Sequence, residues 1–174
     1  MKRLMVYLTR VLVRLSADLN RICWVLAGFF IVAMLASVGL QVVARYIFFS
    51  PPSWTEELAR YCMVWAGLLG ATVAFHRQED PVLAAEPQPR AKWLAVMLAL
   101  VRASAVMIFL LPVLYWSPVI VGHHMERLTE SMKITSGYVM LVVPIFSTVI
   151  LIHLLARLMG AVIKDQRGLE ESEK

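Results

Sequence analysis

Residues 22–44 read ICWVLAGFFIVAMLASVGLQVVA and carry no Asp, Glu, Lys or Arg. About 20 such residues, rising about 1.5 Å each, cross a hydrocarbon core of roughly 30 Å as a helix, so this run is a transmembrane span. Two further runs, 103–125 and 134–156, are uncharged over the same length. A fourth, 61–75, is shorter and reaches spanning length only if its helix begins near Trp54 and takes Glu56, Glu57 and Arg60 into its first two turns. The sequence therefore predicts an all-α integral membrane protein with four transmembrane helices at about 22–45, 54–76, 93–122 and 135–158, within a membrane domain of residues 22–163.

Composition agrees and removes other classes. The chain has 174 residues, 60% hydrophobic and 17% charged, with a mean hydropathy of +0.71. That is too apolar for a soluble domain or for disorder. Cys23 and Cys62 both lie in apolar stretches, which excludes a disulfide scaffold. A net charge of +5 invites a nucleic-acid reading, but the basic residues sort by loop. Lys2, Arg3, Arg10, Arg14 and Arg21 precede the first span, Arg77, Arg90 and Lys92 separate the second and third, and Arg157, Lys164, Arg167 and Lys174 follow the fourth. The opposite side holds Arg45, Arg60, Arg127 and Lys133, and Arg102 falls within the third helix. The positive-inside rule places both termini in the cytoplasm and accounts for the charge by the lipid bilayer, with no nucleic acid. Trp24 and Trp93 then fall near the inner ends of the spans, and Tyr46, Trp54, Tyr115, Trp116 and Tyr138 near the outer ends.

Residues 1–21 form an amphipathic segment. Leu4, Leu8, Val11, Leu12, Leu15 and Leu19 recur at helical spacing, with Arg3, Arg10, Arg14 and Arg21 on another face. This is the pattern of an interfacial helix on the inner leaflet, the alternative being an extension of the first span. Pro81, Pro87 and Pro89 mark a linker between the second and third spans, and residues 164–174 read as a polar cytoplasmic tail.

The informative polar segment is Pro51-Pro52-Ser53-Trp54-Thr55-Glu56-Glu57-Leu58-Ala59-Arg60-Tyr61. Ser53 and Glu56 have capping-box spacing, both carboxylates suit the positive end of a helix dipole, and Arg60 is within reach of each at i+4 and i+3. Three charges cannot sit at the bilayer centre, where each costs about 2.5–3.5 kcal/mol, so the cluster belongs at the outer interface or under protein. Arg45, across the tight connection, is a further expected partner for Glu56 or Glu57. One reading is a helix cap and hairpin clamp; the other is a polar contact to a second membrane subunit or to a docking periplasmic protein. Deeper in the same helix, Ala59, Ala66, Gly70 and Ala74, with Gly67 beside them, line up small side chains that let another helix approach closely. Spacing does not say whether that helix is internal. Pro112, Pro118 and Pro144 are expected to kink the third and fourth spans, and Arg102 is expected to snorkel toward the inner interface.

Catalytic chemistry is not legible. His123 and His124 are adjacent in an outer loop with Glu126 and Glu130 following, but without tight metal-ligand spacing. His76 is read at the inner end of the second helix and His153 within the fourth, and two interior histidines facing one another are not expected. Ser37, Gln41, Ser147, Thr148 and His153 are read as helix-packing polar groups. No enzyme activity, metal or cofactor is expected.

The order of a basic amphipathic N-terminus, four spans, Ser53-Trp54-Thr55-Glu56-Glu57-Leu58-Ala59-Arg60 opening the second, residues 65–71 after it, and 138–144 in the last span resembles the small membrane subunit (DctQ-like) of TRAP transporters, the tripartite ATP-independent periplasmic carriers. The segment His76-Arg77-Gln78-Glu79-Asp80-Pro81, Arg102 and Pro118 depart from that pattern. The resemblance implies a bacterial inner-membrane small permease subunit that braces a large multispanning subunit. That subunit carries the substrate and ion sites, and symport, usually with sodium, takes up an organic acid delivered by a periplasmic binding protein. It also implies that Glu56, Glu57 and Arg60 support subunit contact, with Trp54 at the outer interface. A homodimeric small transporter and a membrane anchor or assembly subunit of a redox complex are the alternatives.

Overall fold

The computed structural model describes residues 2–78 and 92–172, and the described part is helical throughout apart from its turns. The proline-rich linker expected around Pro81, Pro87 and Pro89, together with Arg90, lies outside the described residues. The helices are α1 (Lys2–Tyr46), α2 (Ser53–Arg77), α3 (Lys92–Met125), the short α4 (Gly137–Met140) and α5 (Val142–Ser172). Four stretches are long and apolar enough to cross a membrane: Val6–Tyr46, Ser53–Arg77, Val96–Met125 and Gly137–Gly160. All four predicted spans are present.

The N-terminal segment is helical and continuous with the first span. α1 is a single helix of 45 residues, with no break at the expected boundary near residue 21. At about 1.5 Å per residue it is roughly 68 Å long, about twice the hydrocarbon thickness of a bilayer. α5 likewise runs on through Ser172, so its backbone takes the segment read as a tail into the helix.

α1 and α2 form a tight antiparallel hairpin. α1 ends where Ser50 N–H and Phe48 N–H both reach the Ala44 carbonyl, at 3.3 and 3.2 Å, around a left-handed Phe49 at φ 54°. The prolines Pro51 and Pro52 follow, and α2 starts immediately. Pro52 is itself the N-cap and has no side chain able to accept, so the expected Ser53–Glu56 capping box does not form. Ser53 is already inside the first turn, and it is Thr55 that turns back, donating from Oγ1 to the Pro52 carbonyl at 2.7 Å.

α5 packs against this hairpin and α3 packs against α5. The central buried cluster is Cys23 and Ala27 of α1, Leu69 and Val73 of α2, and Val149 of α5, flanked by Phe30 and Trp65 with ring centroids 5.3 Å apart. α3 is the most peripheral span, with Ile108, Phe109, Tyr115 and Trp116 exposed.

The prolines act through lost donors. Pro118 cannot bond the Leu114 carbonyl, and Ser117 Oγ takes that acceptor instead at 2.9 Å, so α3 runs through Pro118 without a break. Pro144 leaves the Met140 carbonyl without its donor, and the fourth span divides into α4 and α5 at Leu141.

Leu69 is 1% exposed at the centre of the cluster, so truncation there leaves a cavity. Leu69→Ala is expected to destabilise the bundle by about 2–5 kcal/mol in a detergent unfolding titration. Val32→Ala, on a face 67% exposed, should change it little by comparison.

Candidate functional site

Two polar clusters sit at opposite ends of the bundle. The first is at the end that holds the α1–α2 hairpin and the loop after α3. Glu56 and Arg60, one turn apart on α2, pair at 3.0 Å between Oε1 and Nη2, with both side chains about two-thirds exposed at 65% and 64%. Such a pair adds little to stability in water-like surroundings. Arg45 lies exposed on α1 and takes no part in it; the expected bond from Arg45 to Glu56 or Glu57 is not formed. Trp54 is exposed beside this pair.

Glu57 does something else. One turn further along α2, Tyr61 donates its hydroxyl to Glu57 Oε1. Oε2 accepts two backbone N–H groups from the loop between α3 and α4, from Ser131 at 2.9 Å and Met132 at 2.8 Å. That loop is a small closed turn. Thr129 N–H donates to the Ile134 carbonyl at 2.7 Å and Ser136 N–H to the Arg127 carbonyl at 2.9 Å, with Leu128 bridged to Thr135. Ile134 N–H reaches back to Thr129 Oγ1 at 3.1 Å, and Lys133 occupies the left-handed region at φ 56°. At its base His124 Nδ1 lies 3.4 Å from Ser136 Oγ, while Ser136 Oγ donates to the His124 carbonyl at 3.0 Å. Two successive N–H groups at the tip of a turn make a small anion cradle, and Glu57 supplies the anion. The carboxylate thus ties the second span to the loop that joins the third and fourth.

Sequence reasoning found Glu57 but not its partners. The Tyr61 contact is an i,i+4 pair and could have been read off the helix. The Ser131 and Met132 contacts are 74 and 75 residues distant, and the left-handed turn at Lys133 has no Gly or Asn to announce it.

The small-residue stripe divides. Ala59 and Ala66 are buried inside the bundle with Cys62 and Leu69. Gly67 is exposed and Gly70 half-buried, and a Cβ added at either meets nothing within 4 Å. Ala74 is also half-buried. Gly70 faces an open apolar groove between α1 and α2, lined also by Trp24, Val25, Gly28 and Ile31.

The second cluster lies at the other end, where α2 finishes and α1 has its N-terminal half. Contrary to expectation, the two histidines meet. His76 and His153 have ring centroids 4.7 Å apart, and Ser16 Oγ lies 3.2 Å from His76 Nδ1 and 2.7 Å from His153 Nδ1. Ser16 and His153 are each only 3% exposed, while His76 is half-buried. Arg157, one turn after His153, sits over the Phe75 ring at 6.0 Å.

Removal of the Glu57 carboxylate should free the loop without unfolding α2. In Glu57→Ala the Ser131 and Met132 amides are expected to exchange hydrogen at least about tenfold faster, whereas Glu56→Ala leaves them near the parent rate. Amide-resolved hydrogen exchange checks both.

The family model described as "Tripartite ATP-independent periplasmic transporters, DctQ component" matches residues 34–163. The sialic acid TRAP transporter permease protein SiaT of Haemophilus influenzae strain 86-028NP is 39% identical over 54 residues, covering 31% of this chain and 9% of that protein. A TRAP transporter small permease protein of H. influenzae strain KW20 Rd is 38% identical over 65 residues, covering 37% of this chain and 40% of that one. The matched part thus spans less than half the length of either relative. With four helices long and apolar enough to span a membrane and a family match from the last third of α1 into α5, the chain belongs to the DctQ family of TRAP transporter small permease subunits, a transporter component and not an enzyme.

Proposed function

We propose that this chain is the non-moving brace of a TRAP carrier in the bacterial inner membrane, with both termini cytoplasmic. In this reading a sodium gradient drives uptake, through the large subunit, of an organic acid delivered by a periplasmic binding protein. The observation that carries the reading is the family match over residues 34–163, which takes in the α1–α2 hairpin, α3 and the loop clamped by Glu57. Two further findings support it. SiaT is a far longer permease of which the matched stretch is 9%, as expected of a module that works beside a larger one, and its name specifies an organic acid. The basic residues near the ends of α2 and α5 support cytoplasmic termini by the positive-inside rule.

The orientation puts the Glu56–Arg60 pair, Trp54 and the Glu57-clamped loop on the periplasmic side. A loop held by two charge-assisted hydrogen bonds presents a fixed surface to a docking protein, which is the role we assign to it. The open groove along Gly28 and Gly70 is the seat we assign to a helix of the large subunit, because glycine lets backbones approach and none of the described residues fills the space.

Two outcomes test the reading. Tagged full-length chain, solubilised from native membranes in mild detergent, is expected to bring down a much larger multispanning protein in stoichiometric amount by mass spectrometry; recovery as an isolated monomer or homodimer overturns it. Gly70→Leu, whose side chain enters the groove without meeting this chain's own atoms near Cβ, is expected to reduce that co-purification severalfold while expression and helicity by circular dichroism stay at the parent level.

A further inference from the structure

We propose that Ser16, His76 and His153 form a proton-binding clasp that fixes the N-terminal half of α1 against α2 and α5 while both imidazoles are neutral and releases it when a proton is bound. The argument begins with hydrogen counting. Ser16 has one hydroxyl hydrogen, yet its oxygen is within hydrogen-bond distance of two Nδ1 atoms, at 3.2 and 2.7 Å. The hydroxyl donates to one Nδ1, so the other imidazole donates its own Nδ1–H to Ser16 Oγ, and the two neutral rings are held as opposite tautomers. The ring that donates from Nδ1 keeps a free lone pair on Nε2, and the ring that accepts at Nδ1 carries its hydrogen on Nε2. His153 Nε2 is shielded and has no hydrogen-bond partner among the described residues, in either tautomer. One turn beyond Ser16, Asn20 Oδ1 is a second shielded acceptor without a partner among the described residues. The cluster is therefore joined through the Ser16 hydroxyl and incompletely satisfied around it, which makes it sensitive to one added proton.

The surroundings decide what that proton does. A proton taken up by the pair adds to the free Nε2 lone pair, giving an imidazolium in ring contact with a second imidazole. From α1 the neighbouring groups are neutral, buried Ser16 and half-buried Asn20; Asp18 and Arg14 are exposed and bond to neither ring. From α2 the nearest charge is Arg77, adjacent to His76, and from α5 it is Arg157, over Phe75. No carboxylate among the described residues pairs with either imidazole. An imidazolium here is thus a shielded cation with cationic neighbours, a costly arrangement that is relieved when α1 moves away and water enters. On that stretch of α1 Tyr7, Leu8, Val11, Val13 and Leu15 are exposed, and Thr9 is buried.

The full-length chain is purified with its membrane partner, placed in nanodiscs that expose both faces to one pH, and spin-labelled at Tyr7→Cys and Leu155→Cys in a Cys23→Ala, Cys62→Ala background. Both label sites are exposed, at 65% and 45%. Electron–electron distance measurement is expected to show one short population at about pH 8 and, at about pH 5, a longer population at least about twofold larger than at the higher pH. The His76→Gln, His153→Gln double variant keeps hydrogen-bonding side chains but does not titrate, and its distribution should not change with pH. Ser16→Ala keeps both imidazoles and should already show the long population at about pH 8. A parent distribution unchanged across this range, the same shift in the double variant, or Ser16→Ala matching the parent at the higher pH each overturns the clasp. If the double variant does not assemble, the single variants serve, each expected to lose at least half of the shift, and retention of the full shift in both overturns the proposal equally.

Discussion

Inside a bilayer one helix gains almost nothing by hiding apolar surface against another, because lipid tails are as apolar as leucine. What holds these spans in register therefore falls to close packing and to the polar contacts that water does not dilute. The chain concentrates those contacts at two levels. At one end Glu57 joins α2 to the α3–α4 loop through the Ser131 and Met132 amides, and at the other Ser16 joins α1 to α2 and α5 through His76 and His153. Between them lies the apolar cluster around Leu69, whose tight fit depends on small neighbours such as Ala27 and Cys23. Remove the end contacts and the helices remain helices, since each satisfies its own backbone; what is lost is their mutual position.

The spans were legible because uncharged runs of about 20 residues have one stable fate in a membrane protein. The Glu56–Arg60 pair was legible because i,i+4 neighbours on a helix meet whatever the helix packs against. The capping box was misread for a local reason: Ser53 and Glu56 have the spacing, but Pro52 sets the boundary one residue earlier and moves Ser53 into the helix. The long-range contacts were not legible at all. Periodicity gives the face on which His153 lies but not the rotation of α5 relative to α1, and Ser16 sits in a stretch whose arginines and leucines pointed to the membrane surface. That α1 continues through this stretch as one helix is what brings Ser16 beside α2 and α5.

Family and mechanism were legible to different depths. The segment from Ser53 to Arg60 carried the resemblance, and the family match over residues 34–163 agrees with it. Yet within that segment the residues divide in physical role. Glu56 and Arg60 satisfy each other on the surface, while Glu57 faces inward to a loop, so the apparent charge cluster is one solvated pair and one structural carboxylate.

The same division runs through the small residues of α2. Ala59 and Ala66 are consumed by internal packing, and Gly67 and Gly70, one residue or one turn away, are left open. A helix that needed only to pack within its own bundle would gain about 1 kcal/mol in propensity from alanine at an open glycine position, with no steric objection. Glycine where a Cβ would touch nothing among the described residues is thus a local cost without a return inside the described bundle. The return we propose lies outside the chain, along the groove that Gly28 and Gly70 open between α1 and α2.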